Sequence, residues 1–95
     1  MRSDDDKQQL IEKKNILITA IASVISELVK NSGKSGRKIS AEYDIALGLL
    51  SKIMRGKSDI KYTTLWKLSN ALQITPIKFT EMVMKKLPND FNFFE

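Results

Sequence analysis

The chain has 95 residues, 42% of them hydrophobic, and carries a net charge of +5. This length predicts one small domain whose single core is modest in size. Because cysteine and histidine are both absent, disulfides, thiolate chemistry, the usual zinc ligands and the usual general base are excluded, so we expect no metal, no cofactor and no enzymatic activity.

The chain begins with a polar segment that includes the run Asp4-Asp5-Asp6. We expect residues 1–10 to form a flexible N-terminal tail. An acidic start lacks the cationic region of a signal peptide, and the apolar stretch over residues 16–25 is too short to span a membrane. A cytoplasmic protein is the expectation.

A first helix is predicted over residues 12–31, with Ser32 and Gly33 ending it. Its apolar stripe is wider than one helix face requires, because two sets of residues contribute. The first set, on one stripe, is Ile18, Ile21, Ile25 and Leu28. The second set, which widens the stripe, is Ile16, Leu17, Val24 and Val29. We expect something besides the core to cover part of this helix. Together with the three phenylalanines of the tail, this surplus of apolar surface predicts a homodimer, without indicating which surface forms the interface.

Residues 36–57 predict two short amphipathic helices joined by a tight turn, the arrangement of a helix-turn-helix. Ser35 is the predicted N-cap of the first helix, residues 36–43, which turns Ile39 and Tyr43 inward. At the turn, Asp44 is expected to be left-handed, a conformation that Asp tolerates better than most residues.

The second helix of this pair, residues 46–55, has two faces and ends at Gly56, a C′ glycine. At about 100° per residue, five apolar residues fall on one face and four other residues on the opposite face. The predicted inward residues are Ala46, Leu49, Leu50, Ile53 and Met54; the outward ones are Gly48, Ser51, Lys52 and Arg55. The outward face is suited to contact something other than the protein's own core.

Two further helices complete an all-α fold of five helices. The fourth, residues 62–73, turns Leu65, Leu68 and Leu72 inward, and we expect Trp66 to be a partly buried packing residue. Thr75 caps the fifth helix and Pro76 occupies its first position; the inward residues there are Phe79, Met82, Val83 and Leu87.

The predicted domain therefore covers residues 11–87, and an aromatic tail follows over residues 88–95. We expect its Phe91, Phe93 and Phe94 to fold back onto the bundle, with a dimer or partner contact as the alternative. Only residues 91–93 give a weak indication of a strand.

Positive charge is concentrated in the middle of the chain. Residues 30–67 hold nine cations and three anions, a net charge of +6, whereas the remaining residues sum to −1. A basic patch centred on a helical motif is typical of nucleic-acid binding proteins, because neutralising phosphates releases counterions. A lysine-rich solvated surface is the simpler alternative.

The segment over residues 28–79 resembles Cro/phage-repressor helix-turn-helix regulators. The resemblance rests on Ser35, Ile39, Ser40, Tyr43, Ile45, Leu50-Ser51-Lys52-Ile53, Arg55-Gly56-Lys57 and Leu65-Trp66-Lys67-Leu68-Ser69-Asn70-Ala71-Leu72-Gln73-Ile74-Thr75. It implies a five-helix, lambda-repressor-like DNA-binding domain in a bacterial or phage transcriptional regulator, most simply a repressor associated with the nucleoid. The third helix would lie in the major groove, within a homodimer on a palindromic operator.

Transferred position by position, the resemblance implies base contacts and phosphate contacts. The base-reading positions are Leu47, Gly48, Ser51 and Lys52, and the phosphate-contacting positions are Arg55 and Lys57. The basic segment adds Lys34, Arg37, Lys38 and Lys61 as predicted phosphate contacts.

The chain departs from the family pattern at Gly36, Asp44, Leu47 and Gly48. Leu47 can pack on a thymine methyl and Lys52 can donate to guanine. Gly48 offers only its backbone or a close approach, so DNA shape and phosphate contacts are expected to carry more of the specificity.

Two alternatives to a simple DNA-binding regulator stay open. One is an antitoxin or phage-type switch protein that binds DNA and also a protein partner, through the first helix or the aromatic tail. The other is a protein-only interaction module whose DNA face has decayed.

Overall fold

The computed structural model describes residues 4–93, and these residues form five α-helices and no strand. The helices are α1 (Asp4–Ser32), α2 (Gly36–Tyr43), α3 (Leu47–Met54), α4 (Tyr62–Ala71) and α5 (Pro76–Lys86). The predicted all-α, five-helix fold is confirmed. The weak strand indication at residues 91–93 is wrong: the Phe91 and Phe93 rings meet edge to face, with centroids 5.7 Å apart.

α1 is longer than its apolar periodicity indicates. It begins at Asp4 rather than near residue 12, so residues 4–10 are helical instead of irregular; residues 1–3 lie outside the described part of the chain. The physical reason is that Lys and Gln at positions 7–9 favour helix even without an apolar stripe, and acidic residues suit a helix start. At 1.5 Å per residue, α1 is about 43 Å long, close to the 45 Å longest dimension of the molecule.

The core is built where α1 packs against α3 and α5, α2 packs against α3 and α4, and α4 packs against α5. Its largest fully buried side chains are Val24, Ile25, Ile39, Leu50, Ile53, Leu68 and Phe79. All of these were predicted to be apolar core or stripe residues. Among residues 4–93, no single helix is long and apolar enough to cross a membrane, although α1 and α2 together meet those criteria with a 99° bend between them.

Four helices end at a residue in the left-handed conformation: Gly33 (φ 75°) follows α1, and three further residues follow α2, α3 and α4. These residues are Asp44 (φ 53°), Gly56 (φ 71°) and Gln73 (φ 60°). After each of Asp44, Gly56 and Gln73, the next backbone N–H donates to a carbonyl of the preceding helix, as in a Schellman motif. The bonds join Ile45 to Ser40, Lys57 to Lys52 and Ile74 to Ser69, at 3.1, 2.8 and 3.0 Å. The left-handed Asp44 and the C′ role of Gly56 are confirmed, whereas α4 stops at Ala71, two residues before the predicted end.

Candidate nucleic-acid interface

The turn between α2 and α3 is fixed by its own hydrogen bonds. The Ser40 hydroxyl donates to the carbonyl of Ile45, whose side chain is buried beneath the turn. From α4, Lys67 Nζ donates to the carbonyl of Asp44 at 3.3 Å. These contacts set the relative orientation of α2 and α3.

The opposite end of α3 is held against α1. The Ser26 hydroxyl of α1 donates to the carbonyl of Met54 at 3.2 Å. Gly56, just after the end of α3, also lies close to α1: a Cβ built on it would lie 3.7 Å from Ala22 Cβ. With both ends fixed, and with Leu50 and Ile53 buried, α3 is presented as a rigid element.

The outward face of α3 is exposed as predicted, with Gly48, Ser51, Lys52 and Arg55 all open to solvent. Leu47 is also exposed, at 40%. The inward prediction was wrong for Ala46 and Leu49, which are exposed as well. Ala46 is the N-cap, so helical periodicity does not apply to it. Leu49, 38% exposed, lies about 100° around the helix from Leu50, outside the arc that α1 and α2 cover.

Five of the predicted phosphate-contact residues are exposed, at the start of α2, after the end of α3 and before α4. They are Arg37, Lys38, Arg55, Lys57 and Lys61. The two ion pairs described within residues 4–93, Lys78 with Glu81 and Lys86 with Glu27, involve none of these five residues. Arg55 is also oriented by its own helix, because its Nε donates to the carbonyl of Ser51 at 3.3 Å.

Lys34 is placed differently from the other predicted phosphate contacts. Its Nζ donates to the carbonyl of Ala71 at 3.2 Å and lies 6.0 Å from the centre of the Tyr43 ring. These contacts connect the segment before α2 to the end of α4. Lys34 therefore has an intramolecular role that the charge pattern did not reveal.

An apolar groove that was not predicted from the sequence lies between α4 and α5. Four exposed side chains form its walls: Tyr62 (70%), Trp66 (48%), Ile77 (73%) and Met84 (64%). Its volume is about 770 Å³, and the Tyr62 and Trp66 rings meet edge to face, 6.4 Å between centroids. Trp66 is thus half-exposed, and its aromatic neighbour lies four residues earlier on the same helix. We call this surface the α4–α5 groove.

A family model independently matches the part of the chain that contains this site. The helix-turn-helix family HTH_3 matches residues 25–79, which is 55 of the 95 residues. The match begins within α1, includes α2, α3 and α4, and ends at Phe79 in α5.

No curated protein and no solved structure matches the chain. The family consists of DNA-binding regulators of the Cro/C1 type rather than enzymes. With more than half of its length matched and a lambda-repressor-like arrangement of five helices, the chain belongs to the Cro/C1-type helix-turn-helix family of DNA-binding regulators.

Proposed function

We propose that this protein is a sequence-specific transcriptional repressor that places α3 in the major groove of duplex DNA. The observation that carries the proposal is the division of α3 into two faces, with Leu50 and Ile53 buried and Ser51 and Lys52 exposed. An α-helix fits the major groove, where each base pair presents a distinct pattern of donors and acceptors. Repression requires no additional protein-binding surface, because a protein bound over a promoter blocks the access of the transcription machinery to that promoter.

In this arrangement the exposed side chains divide into base contacts and phosphate contacts. Lys52 donates to guanine O6 or N7. The Ser51 hydroxyl can donate to an acceptor or accept from a donor on a base edge. Leu47 and Gly48 approach the bases from the first turn of α3. Arg37 and Lys38 in the first turn of α2, Arg55 and Lys57 at the end of α3, and Lys61 before α4 hold the flanking phosphates.

The repressor acts as a homodimer joined through the α4–α5 groove. Four of the nine exposed large hydrophobic side chains among the described residues line this groove, and such a cluster is typical of a surface that another protein covers. Glu81 lines the groove, and Lys78 lies 3.8 Å from it on α5; both are about half-exposed. A two-fold axis across α5 brings Lys78 of each copy opposite Glu81 of the other, as an isologous interface requires.

Selection of duplexes from a random library, followed by affinity measurements at two salt concentrations, tests this function. A dimer that neutralises on the order of six to ten phosphates loses roughly 10³- to 10⁵-fold in affinity between about 50 and 200 mM salt. The selected sequence is expected to be palindromic and to bind at least about 10³-fold more tightly than random duplex. A steep salt dependence without sequence preference contradicts the proposal. Failure to bind duplex at low salt favours the protein-only alternative.

Sedimentation at micromolar concentration tests the interface. Ile77→Asp in the α4–α5 groove is expected to give monomers, because it introduces a charge into a surface that the dimer buries. Ile16→Asp is the matched control, since Ile16 is an exposed isoleucine on α1, and it is expected to leave the dimer intact. Dissociation by Ile16→Asp but not by Ile77→Asp would instead place the interface on α1, whose predicted apolar stripe is wider than one helix face requires.

A further inference from the structure

Two lysines join α2 to α4 at two separate points. From α4, Lys67 Nζ donates to the carbonyl of Asp44, the C-cap of α2, at 3.3 Å. From the segment before α2, Lys34 Nζ donates to the carbonyl of Ala71, the last residue of α4, at 3.2 Å. Each lysine thus joins its own segment to the C-terminal end of the other helix. We call these two hydrogen bonds the α2–α4 lysine contacts.

These contacts distinguish Lys34 and Lys67 from the rest of the basic segment. Both residues are partly buried, whereas the other seven cations of residues 30–67 are exposed. The last carbonyls of a helix lack partners within the helix and lie at the negative end of its dipole, so an ammonium group is a suitable donor to them. Lys34 Nζ also lies 6.0 Å from the centre of the Tyr43 ring. Both ammonium groups therefore already have partners within the protein.

The contact at Asp44 bears directly on α3. Asp44 is left-handed (φ 53°), a conformation that strains residues other than glycine, and its turn leads into α3. α3 packs against α1 and α2, whereas α4 packs against α2 and α5. A hydrogen bond from α4 to this turn therefore fixes the end of α2 after which α3 begins.

We infer that Lys34 and Lys67 are positioning residues for base recognition and not phosphate contacts. The inference rests on the proposed function, because it requires α3 to read bases in the major groove. Hydrogen bonds to base edges depend steeply on distance and angle, so they are lost when α2 and α3 shift relative to the rest of the domain. Phosphate contacts by lysines tolerate such a shift, because the ammonium is a point charge on a flexible stem. Loss of either α2–α4 lysine contact is therefore expected to weaken operator binding and to spare binding to random duplex.

Lys34→Met and Lys67→Met test the inference, because methionine keeps an unbranched apolar stem and removes the ammonium group. Dissociation constants are measured on the selected operator and on random duplex at several salt concentrations. Each variant is expected to lose about fivefold in operator affinity per subunit and roughly 25-fold for the dimer, the effect of one lost hydrogen bond per subunit. The affinity for random duplex, and the slope of log affinity against log salt concentration, are expected to match wild type.

Lys57→Met is the comparison, because the proposed function assigns Lys57 to a phosphate. It is expected to weaken binding to both duplexes equally and to make the slope shallower by about 1.8, the contribution of two phosphates per dimer. Lys30→Met is the matched control, since Lys30 is an exposed lysine in the last turn of α1 and its loss changes the charge by the same amount. It is expected to keep the wild-type ratio of operator to random affinity. Lys67→Arg retains a cationic donor and is expected to keep that ratio as well.

Urea unfolding of each variant shows whether it is folded at the assay temperature, which separates a shift of α3 from a loss of folded protein. If Lys67→Met does not fold, Lys34→Met decides the outcome. Two results overturn the inference while the proposed function stands. One is an equal loss on both duplexes with a shallower slope, which would make these lysines phosphate contacts. The other is a wild-type ratio of operator to random affinity in the folded Met variants. If wild-type protein shows no preference for any duplex, the proposed function fails first, and the same ratio reports that failure separately.

Discussion

Gly56→Ala is expected to destabilise the protein through the backbone rather than through a steric clash. Gly56 has a φ of 71°, where an L-residue costs roughly 1–2 kcal/mol. The added Cβ would lie 3.7 Å from Ala22 Cβ and 4.0 Å from Thr19 Cα, which are ordinary van der Waals distances. The expected loss in the free energy of unfolding is therefore the strain alone, about 1–2 kcal/mol.

Urea unfolding measures this loss directly. With an m-value of about 1 kcal/mol/M for a small domain, the midpoint is expected to fall by roughly 1–2 M at unchanged m. Gly33→Ala is the matched control, since Gly33 has a φ of 75° and a Cβ there meets nothing within 4 Å. Equal losses in the two variants support backbone strain as the cause. A Gly56→Ala midpoint equal to wild type, or a loss several times that of Gly33→Ala, refutes the reasoning.

Three other substitutions have expected effects of known sign. Gln73→Gly is expected to stabilise the protein by about 0.5–1 kcal/mol, because it removes the strain of a left-handed glutamine at the end of α4 (φ 60°); a lower melting temperature would contradict this. Ser69→Ala is expected to add about 1 kcal/mol to the free energy of unfolding, because the buried Ser69 hydroxyl has no hydrogen-bond partner among residues 4–93; destabilisation by calorimetry would show that the hydroxyl is satisfied. Ser35→Ala is expected to remove about 1 kcal/mol, because its side chain accepts from Lys38 N, and an unchanged urea midpoint would rule out a stabilising cap.

The elements that sequence reasoning predicted well are those whose signals are local. The Ser35 cap, the left-handed Asp44, the C′ glycine at position 56 and the Thr75-Pro76 start of α5 each depend on a few neighbouring residues. For the same reason, the exposed face of α3 followed from helical periodicity alone.

The features that were missed depend on which helices meet in space. Leu49 is 38% exposed because it borders an open cavity between α3 and the start of α4, and no periodicity in an eight-residue helix reveals that. The α4–α5 groove exists because Tyr62 and Trp66 on α4 face Ile77 and Met84 on α5. Each pair forms a second, smaller stripe on its own helix, and that stripe is the signal by which the groove could have been found.

The central claim is that α3 reads base sequence while the cations around it hold phosphates. Dissociation constants of wild type, Lys52→Ala and Lys57→Ala, each measured on the selected operator, its single-base variants and random duplex, test this claim most directly. Lys52→Ala is expected to relax discrimination by roughly 1–3 kcal/mol at one or two operator positions, whereas Lys57→Ala weakens binding to all duplexes nearly equally. Equal losses for the two variants on every duplex would contradict the claim that α3 reads the sequence through Lys52.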